Sequence, residues 1–219
     1  KLGSEKLRSF YESLGFGQKT GIELPGEESG VLRMTYDLET ATASFGQGIT
    51  TTPIQTLQAL SILTNDGVML KPYIVDKIVD ENGDVTYQGE RTELGKKVSS
   101  ESINKVYELM YDVVYNGLST SWQPNNVTLA GKTGTAQIAG DHGYLTGNIN
   151  YIRSFAGVFP YEDPEYIIYI SAKQISGGAA AVAKAVRSAV ESIANYANIT
   201  NSESSVDLSK IINLSNYMS

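Results

Sequence analysis

The chain has 219 residues, 41% of them hydrophobic, which suits one domain with a buried core or a large piece of one. Its formal net charge of -7, with no basic stripe, argues against a nucleic-acid-binding surface. No cysteine is present, which excludes disulfides, Cys-ligated zinc and thiol catalysis.

The opening run Lys1-Leu2-Gly3-Ser4-Glu5-Lys6-Leu7 reads as mid-helix, with no initiator methionine and no signal peptide. A segment upstream is therefore expected, and any membrane anchor would lie in it. No stretch here approaches the ~20 apolar residues of a membrane span; the most hydrophobic, Tyr166 to Ile170, has strand length. Leu2, Leu7, Phe10, Tyr11 and Leu14 follow a helical spacing that Gly15 and Gly17 end. Thr20 to Gly30 is a turn-rich loop centred on Pro25-Gly26. Thr52 is placed to cap a helix with Pro53 in its first turn, running to about Asn65, with Leu57, Leu60, Ile62 and Leu63 as its apolar face.

Tyr73 to Val79 and Val85 to Tyr87 flank Asn82-Gly83, a strong hairpin signal. A second helix starts near Ser99 or Ser100, with Ile103, Val106, Met110, Val113 and Val114 on one side. Leu129 to Ile138, Arg153 to Phe159 and Glu165 to Ala172 read as three strands, the last two joined by a turn over Pro160 to Pro164. They are expected to be adjacent and antiparallel. Gly178 to Tyr196, with Val182, Val186, Val190 and Ile193 at helical intervals, closes the fold. Residues 1–200 form the expected domain; 201–219, rich in Ser and Asn, are expected to be a polar tail or a short helix.

The run Gly131-Lys132-Thr133-Gly134-Thr135-Ala136-Gln137 resembles the Lys-Thr-Gly motif of the penicillin-recognising serine acyltransferases. For the acyl transfer that this resemblance implies, a site needs oxyanion donors, a positive charge near a substrate carboxylate, and an edge that holds a peptide in line. A strand bordering a cleft can supply all three, by pairing its free backbone groups with an extended substrate. Gly134, without a side chain, would let that substrate approach closely. In an ideal strand Lys132 and Gly134 share one face and Thr133 and Thr135 the other.

Lys132-Thr133-Gly134 followed by Thr135-Ala136-Gln137 resembles the third motif of the penicillin-recognising serine acyltransferases, which also use Ser-x-x-Lys and Ser-x-Asn motifs. Ser44-Phe45-Gly46-Gln47-Gly48 followed by Thr52-Pro53-Ile54-Gln55 resembles a segment of class B (monofunctional) penicillin-binding proteins. Phe16-Gly17 through Leu24-Pro25-Gly26-Glu27, and Ser154-Phe155-Ala156-Gly157-Val158-Phe159-Pro160, agree with that family in order and spacing. The resemblance covers roughly Lys1 to Ile199. It implies an α/β sandwich like that of penicillin-binding proteins and serine β-lactamases, an antiparallel sheet with flanking helices, of which this chain is the C-terminal part.

The resemblance further implies peptidoglycan DD-transpeptidation: a serine attacks the D-Ala-D-Ala bond of one stem peptide and an amine of a second resolves the acyl-enzyme. β-Lactams acylate the same serine. By analogy Lys132 supplies charge and hydrogen bonds, and the Thr135 N–H is one oxyanion donor. The hydroxyls of Thr133 and Thr135 bind the carboxylate, Gly134 permits close approach, and Gln137 lines the outer groove. No metal or cofactor is implied. Stem peptides, β-lactams and other cell-wall synthesis proteins are the implied partners. The implied location is the outer face of a bacterial membrane, which the absence of cysteine fits. A β-lactam sensor, a DD-carboxypeptidase and a silent cell-wall scaffold are the alternatives.

The attacking serine has no credible candidate in the chain. Ser102-Ile103-Asn104-Lys105 is its one Ser-x-x-Lys, but it also contains the Ser-x-Asn and falls in the first turns of an amphipathic helix, where serines cap. Ser44 lacks the Gly-x-Ser-x-Gly of a nucleophile elbow. His142, the single histidine, lies in a glycine-flanked loop, and Asp80, Glu81 and Asp84 surround a hairpin turn without calcium-loop spacing.

Overall fold

The alternating runs in the second half of the chain pair as expected. In the computed structural model, which describes residues 2–199, they form a three-stranded antiparallel sheet covered by helices on both faces.

Before the sheet, the chain forms α1 (Ser4–Ser13), α2 (Asp37–Ala43) and α3 (Pro53–Leu60), then β1 (Val68–Lys71), β2 (Lys77–Val79), β3 (Val85–Gln88) and β4 (Thr92–Lys96). β1 pairs with β4 and β2 with β3, both antiparallel. The Asn82-Gly83 turn is tied by the Asp80 carboxylate, which accepts from the N–H groups of Asn82 and Asp84. That carboxylate has a turn-making task, in line with the hairpin reading.

Thr52 caps α3, its hydroxyl accepting from the Gln55 N–H at 3.2 Å, and Pro53 fills the first turn. The helix nevertheless ends at Leu60, short of the expected Asn65. The Ser61 hydroxyl turns back to the Gln58 carbonyl and accepts from the Leu70 N–H, which redirects the chain into β1. The buried face of α3 is also more polar than its spacing predicts. Gln55 is wholly buried because its amide donates to the carbonyls of Gln18 and Ser29, at 2.6 and 2.7 Å, and accepts from Thr52 N. It staples two loops to the helix. α2 was not expected; its signal is Glu39, whose carboxylate accepts from the N–H groups of Thr35 and Tyr36 and closes the helix start.

α4 (Ser100–Asp112) starts on Ser99, whose hydroxyl accepts from the Ser102 N–H, and continues as a wide π-type turn through Gly117. Ile103 and Met110 are buried as expected, but Val106 is 46% exposed, a correction to the apolar stripe. The sheet follows as β5 (Ala130–Gln137), the short hairpin β6 (Ala139–Gly140) and β7 (Gly143–Tyr144), then β8 (Tyr151–Phe159) and β9 (Tyr166–Lys173). Its order is β5-β8-β9. α5 (Gly178–Ala197) closes the fold.

Residue parity along the strands separates two cores. Leu129, Phe155, Phe159 and Ile168 pack against Val182, Val186 and Val190 of α5. Ala130 and Val158, one residue out of phase, pack with Ile103, Met110 and Tyr111 of α4 and with Leu63 after α3. Each large side chain buried here contributes about 1.5–3 kcal/mol relative to exposure, so the sheet is clamped from both sides. The expected tail, 201–219, lies outside the described residues.

Candidate active site

All five predicted site residues, Lys132, Thr133, Gly134, Thr135 and Gln137, lie on β5. β5 is an end strand: among the described residues it pairs with β8 alone. Its backbone is therefore divided between groups that meet β8 and groups that meet an open edge.

The hydrogen-bond phase assigns each residue. In an antiparallel ladder, alternate residues turn both N–H and C=O toward the same neighbour. Ile138 donates its N–H to the Asn150 carbonyl at 3.2 Å, in line with the register that pairs Lys132 with Ala156 and Gly134 with Ser154. Even-numbered residues of β5 thus turn to β8, and Thr133, Thr135 and Gln137 turn their backbone groups outward. Two further bonds agree. The Gln174 N–H donates to the Tyr151 carbonyl at 3.0 Å, so odd residues of β8 serve β9. The outward N–H of Leu129, just before β5, is taken by the Tyr115 hydroxyl at 3.3 Å. The edge is thus closed at Leu129 and, among the described residues, without a strand partner at Thr133 and Thr135.

The side chains divide by face as the alternation predicts. Lys132 and Gly134 stand opposite Ala156 and Ser154, on the face that carries Ala130 and the α4 core. Thr133 and Thr135 stand opposite Phe155 and Arg153, on the α5 face. Lys132 is exposed, and its ammonium donates to the outward Thr133 carbonyl at 2.9 Å, which holds the charge beside the edge. Neither threonine hydroxyl has a protein partner among the described residues. Thr135 and Gln137 are exposed, and Thr133 is half-buried.

The two glycines have different reasons to be glycine. A Cβ on Gly131 would stand 2.1 Å from Phe155 Cζ, inside the core. One on Gly134 would stand 2.5 Å from Ser154 Oγ, the tip of a small side chain on the Lys132 face. Gly131 is needed for packing; Gly134 keeps the face of the edge strand bare.

Ser102, Lys105 and Ser44 make local contacts of their own. Ser99 Oγ donates to Ser102 Oγ at 3.0 Å, while Lys105 pairs with Glu101 at 2.7 Å, so the Ser102 and Lys105 side chains serve separate partners. Ser44 Oγ donates to the Ala41 carbonyl at 2.7 Å, a helix-end contact. His142 is exposed in the two-residue turn between β6 and β7.

Among known proteins, a family model described as the penicillin binding protein transpeptidase domain matches residues 1–191. The stage V sporulation protein D of Bacillus subtilis is 36% identical over 181 residues, covering 81% of this chain and 28% of that protein. A peptidoglycan D,D-transpeptidase FtsI homolog of Mesostigma viride is 31% identical over 217 residues, covering 88% and 36%. The crystal structure of penicillin binding protein 3 from Mycobacterium tuberculosis, complexed with ampicillin, superposes with a TM-score of 0.77 at 25% identity, covering 92% of this chain and 48% of that one. The chain thus spans about a third of the length of the two curated relatives.

Proposed function

The chain belongs to the penicillin binding protein transpeptidase domain family, and on that premise we propose that it forms the Lys-Thr-Gly wall of a peptidoglycan DD-transpeptidase site. The observation that carries this reading is the unpaired backbone edge at Thr133 and Thr135, with the Lys132 ammonium held beside it. An extended stem peptide adds to that edge as a further strand. The outward Thr135 N–H then donates to the oxygen of the carbonyl under attack, and the free hydroxyls of Thr133 and Thr135 take the terminal carboxylate. Gln137, last on the strand, lines the outer end of the groove.

In this reading a serine from a Ser-x-x-Lys segment not among these residues attacks the D-Ala-D-Ala carbonyl. The peptide C–N bond breaks, the departing D-Ala nitrogen takes a proton, and an acyl ester remains. The amine of a second stem peptide displaces the serine and leaves a cross-link. A β-lactam enters the same position, and its opened ring stays attached. The negative charge of the tetrahedral intermediate is where Lys132 and the Thr135 N–H act; loss of one oxyanion donor costs roughly 10²–10³ in rate. The parent protein would work at the outer face of a bacterial membrane, held by an anchor beyond this chain, beside other cell-wall synthesis proteins.

The test is labelling with a fluorescent penicillin. The 219-residue chain alone is expected to take no label, and the chain joined to its Ser-x-x-Lys segment to take label on that serine. Covalent label on Ser102 or Ser44, located by peptide mass spectrometry, would overturn the assignment.

A further inference from the structure

Where the β8–β9 turn meets the first turns of α4 and the segment after α3, the surface sinks into a cleft of about 350 Å³. Its floor is aliphatic, made by Leu63 and Ile103, both buried. One wall is aromatic. Tyr107 and Tyr161 stack at 4.8 Å between centroids, and Tyr111 and Tyr115 continue the series at 4.4 Å spacings, which anchors the wall in the core. The volume is that of a small-ligand site. Seven residues line it, against the roughly 20–30 a side of a protein interface, so its occupant is a small molecule.

Three oxygen acceptors in this cleft have capacity to spare. Glu162 receives the Thr128 hydroxyl on one carboxylate oxygen, and among the described residues its other oxygen has no partner. The Asn104 side chain likewise makes no hydrogen bond among them. The Tyr107 hydroxyl donates to the Tyr161 carbonyl at 2.8 Å, which leaves its own lone pairs free. The surrounding charge is negative. Burial first, and then Tyr161, Glu162 and Asp163, hold the Tyr107 phenol above its usual range. Burial, then Glu108, Tyr111, Asp112 and Glu162, do the same to Tyr161. Lys105, one residue from Asn104, is paired with Glu101 at 2.7 Å and so directs its charge to that carboxylate.

We propose that this cleft binds a small aliphatic primary amine in its ammonium form. The alkyl chain lies on Leu63 and Ile103, and the ammonium sits against the tyrosine wall, where aromatic rings attract a cation. Its three N–H donors match the free Glu162 oxygen, the Asn104 amide oxygen and the Tyr107 hydroxyl oxygen. A guanidinium fits less well, because its fork calls for both oxygens of a carboxylate and Thr128 holds one. A carboxylate ligand meets like charge, and a neutral alkyl ligand leaves the Glu162 oxygen without a donor. Through Glu162 the ammonium is one hydrogen bond from Thr128, two residues before β5, so binding is read at the base of that strand.

The experiment is an NMR titration of the 219-residue chain at neutral pH with n-pentylamine, n-pentanol and n-butylguanidine. The amide resonances of Asn104, Tyr161, Glu162 and Thr128 report binding. The amine is expected to shift them saturably and to bind at least about tenfold more tightly than the alcohol, the worth of a charge-assisted hydrogen bond. The guanidine is expected to bind severalfold more weakly than the amine. Glu162→Gln keeps an acceptor for Thr128 but removes the charge, and should bring amine and alcohol within about twofold of each other. Asn104→Ala should weaken the amine severalfold. Equal binding of amine and alcohol by the native chain, or an undiminished preference in Glu162→Gln, would overturn the proposal. So would amine shifts no larger at these residues than at the exposed Asp80 to Asp84 turn, which would show attraction to acidic surface only. Guanidine binding as tight as that of the amine would contradict the three-acceptor match. Should Glu162→Gln not fold, Asn104→Ala decides: a severalfold loss of amine affinity supports the assignment, and unchanged affinity contradicts it.

Discussion

A single methyl group at position 131 or 134 should separate packing from chemistry along the same strand. In Gly131→Ala the new Cβ would sit 2.1 Å from Phe155 Cζ, 2.7 Å from Cε1 and 2.9 Å from the Ala156 carbonyl oxygen. Phe155 has no room to retreat, being wholly buried and stacked on Trp122 at 5.3 Å between centroids. Overpacking of this kind costs typically 1–3 kcal/mol. Replacing a strand glycine by alanine returns roughly 0.5–1 kcal/mol of backbone entropy. The net expectation is a loss of about 1–2 kcal/mol. In Gly134→Ala the sole close atom is Ser154 Oγ at 2.5 Å, which rotates away at small cost, so the expected net change is within about 0.5 kcal/mol of zero. With Ser154→Ala as well, the nearest remaining atom is Ser154 Cβ at 3.9 Å, and the alanine at 134 should become neutral or stabilising. Urea midpoints at unchanged m-value measure all three. Equal midpoints for the two single variants, or a greater loss at 134, would refute the division between a core glycine and a site glycine.

Further expectations follow from the same geometry. Lys132→Ala, in the protein that includes the nucleophile, should slow penicillin acylation at least about tenfold, near 1.4 kcal/mol of barrier, with stability changed by less than about 1 kcal/mol. Unchanged acylation with a large stability loss would make Lys132 structural. Gln55→Ala should lower stability by about 1–3 kcal/mol, because it removes the wholly buried partner of the Gln18 and Ser29 carbonyls and of the Thr52 N–H; a urea midpoint near that of the native chain would contradict the staple. The Glu27 carboxyl is held below its usual range by its bond from the Thr20 hydroxyl, opposed by desolvation and aided by the N–H groups of Thr20 and Gly21. A depressed carboxylate contributes stability above its unfolded pKa and loses it as pH falls through the folded one. The Gly21 amide shift should accordingly titrate with a midpoint below the ordinary Glu value of ~4.3; a midpoint at or above that value would count against the clasp.

Most of the sheet, and the placement of the candidate site residues on it, was legible because short-range rules govern both. β5, β8, β9 and α5 follow from period-2 and period-3.6 patterns whose apolar residues, the exposed Ile152 apart, pack into or against the two cores, and Ser99 and Thr52 start helices by their own hydroxyls. The face assignment of Lys132 against Thr133 held because the register through Gly134 carries no bulge. What escaped depended on partners distant in sequence. Ending α3 at Leu60 requires the Ser61 hydroxyl to meet Leu70, and burying Gln55 requires carbonyls 37 and 26 residues away. The pairing of β1 with β4 joins two short segments on either side of the hairpin, and neither has a strong alternation of its own.

Amide hydrogen exchange along β5, with and without N-acetyl-D-alanyl-D-alanine, tests the central claim most directly. The account predicts that Thr133 and Thr135 exchange rapidly in the free chain while Lys132, Gly134 and Ala136 are protected by β8, and that the ligand slows the first two at least about tenfold without altering the others. Thr133 and Thr135 already protected in the free chain, or unprotected under saturating ligand, would contradict an open edge that receives the substrate as a strand.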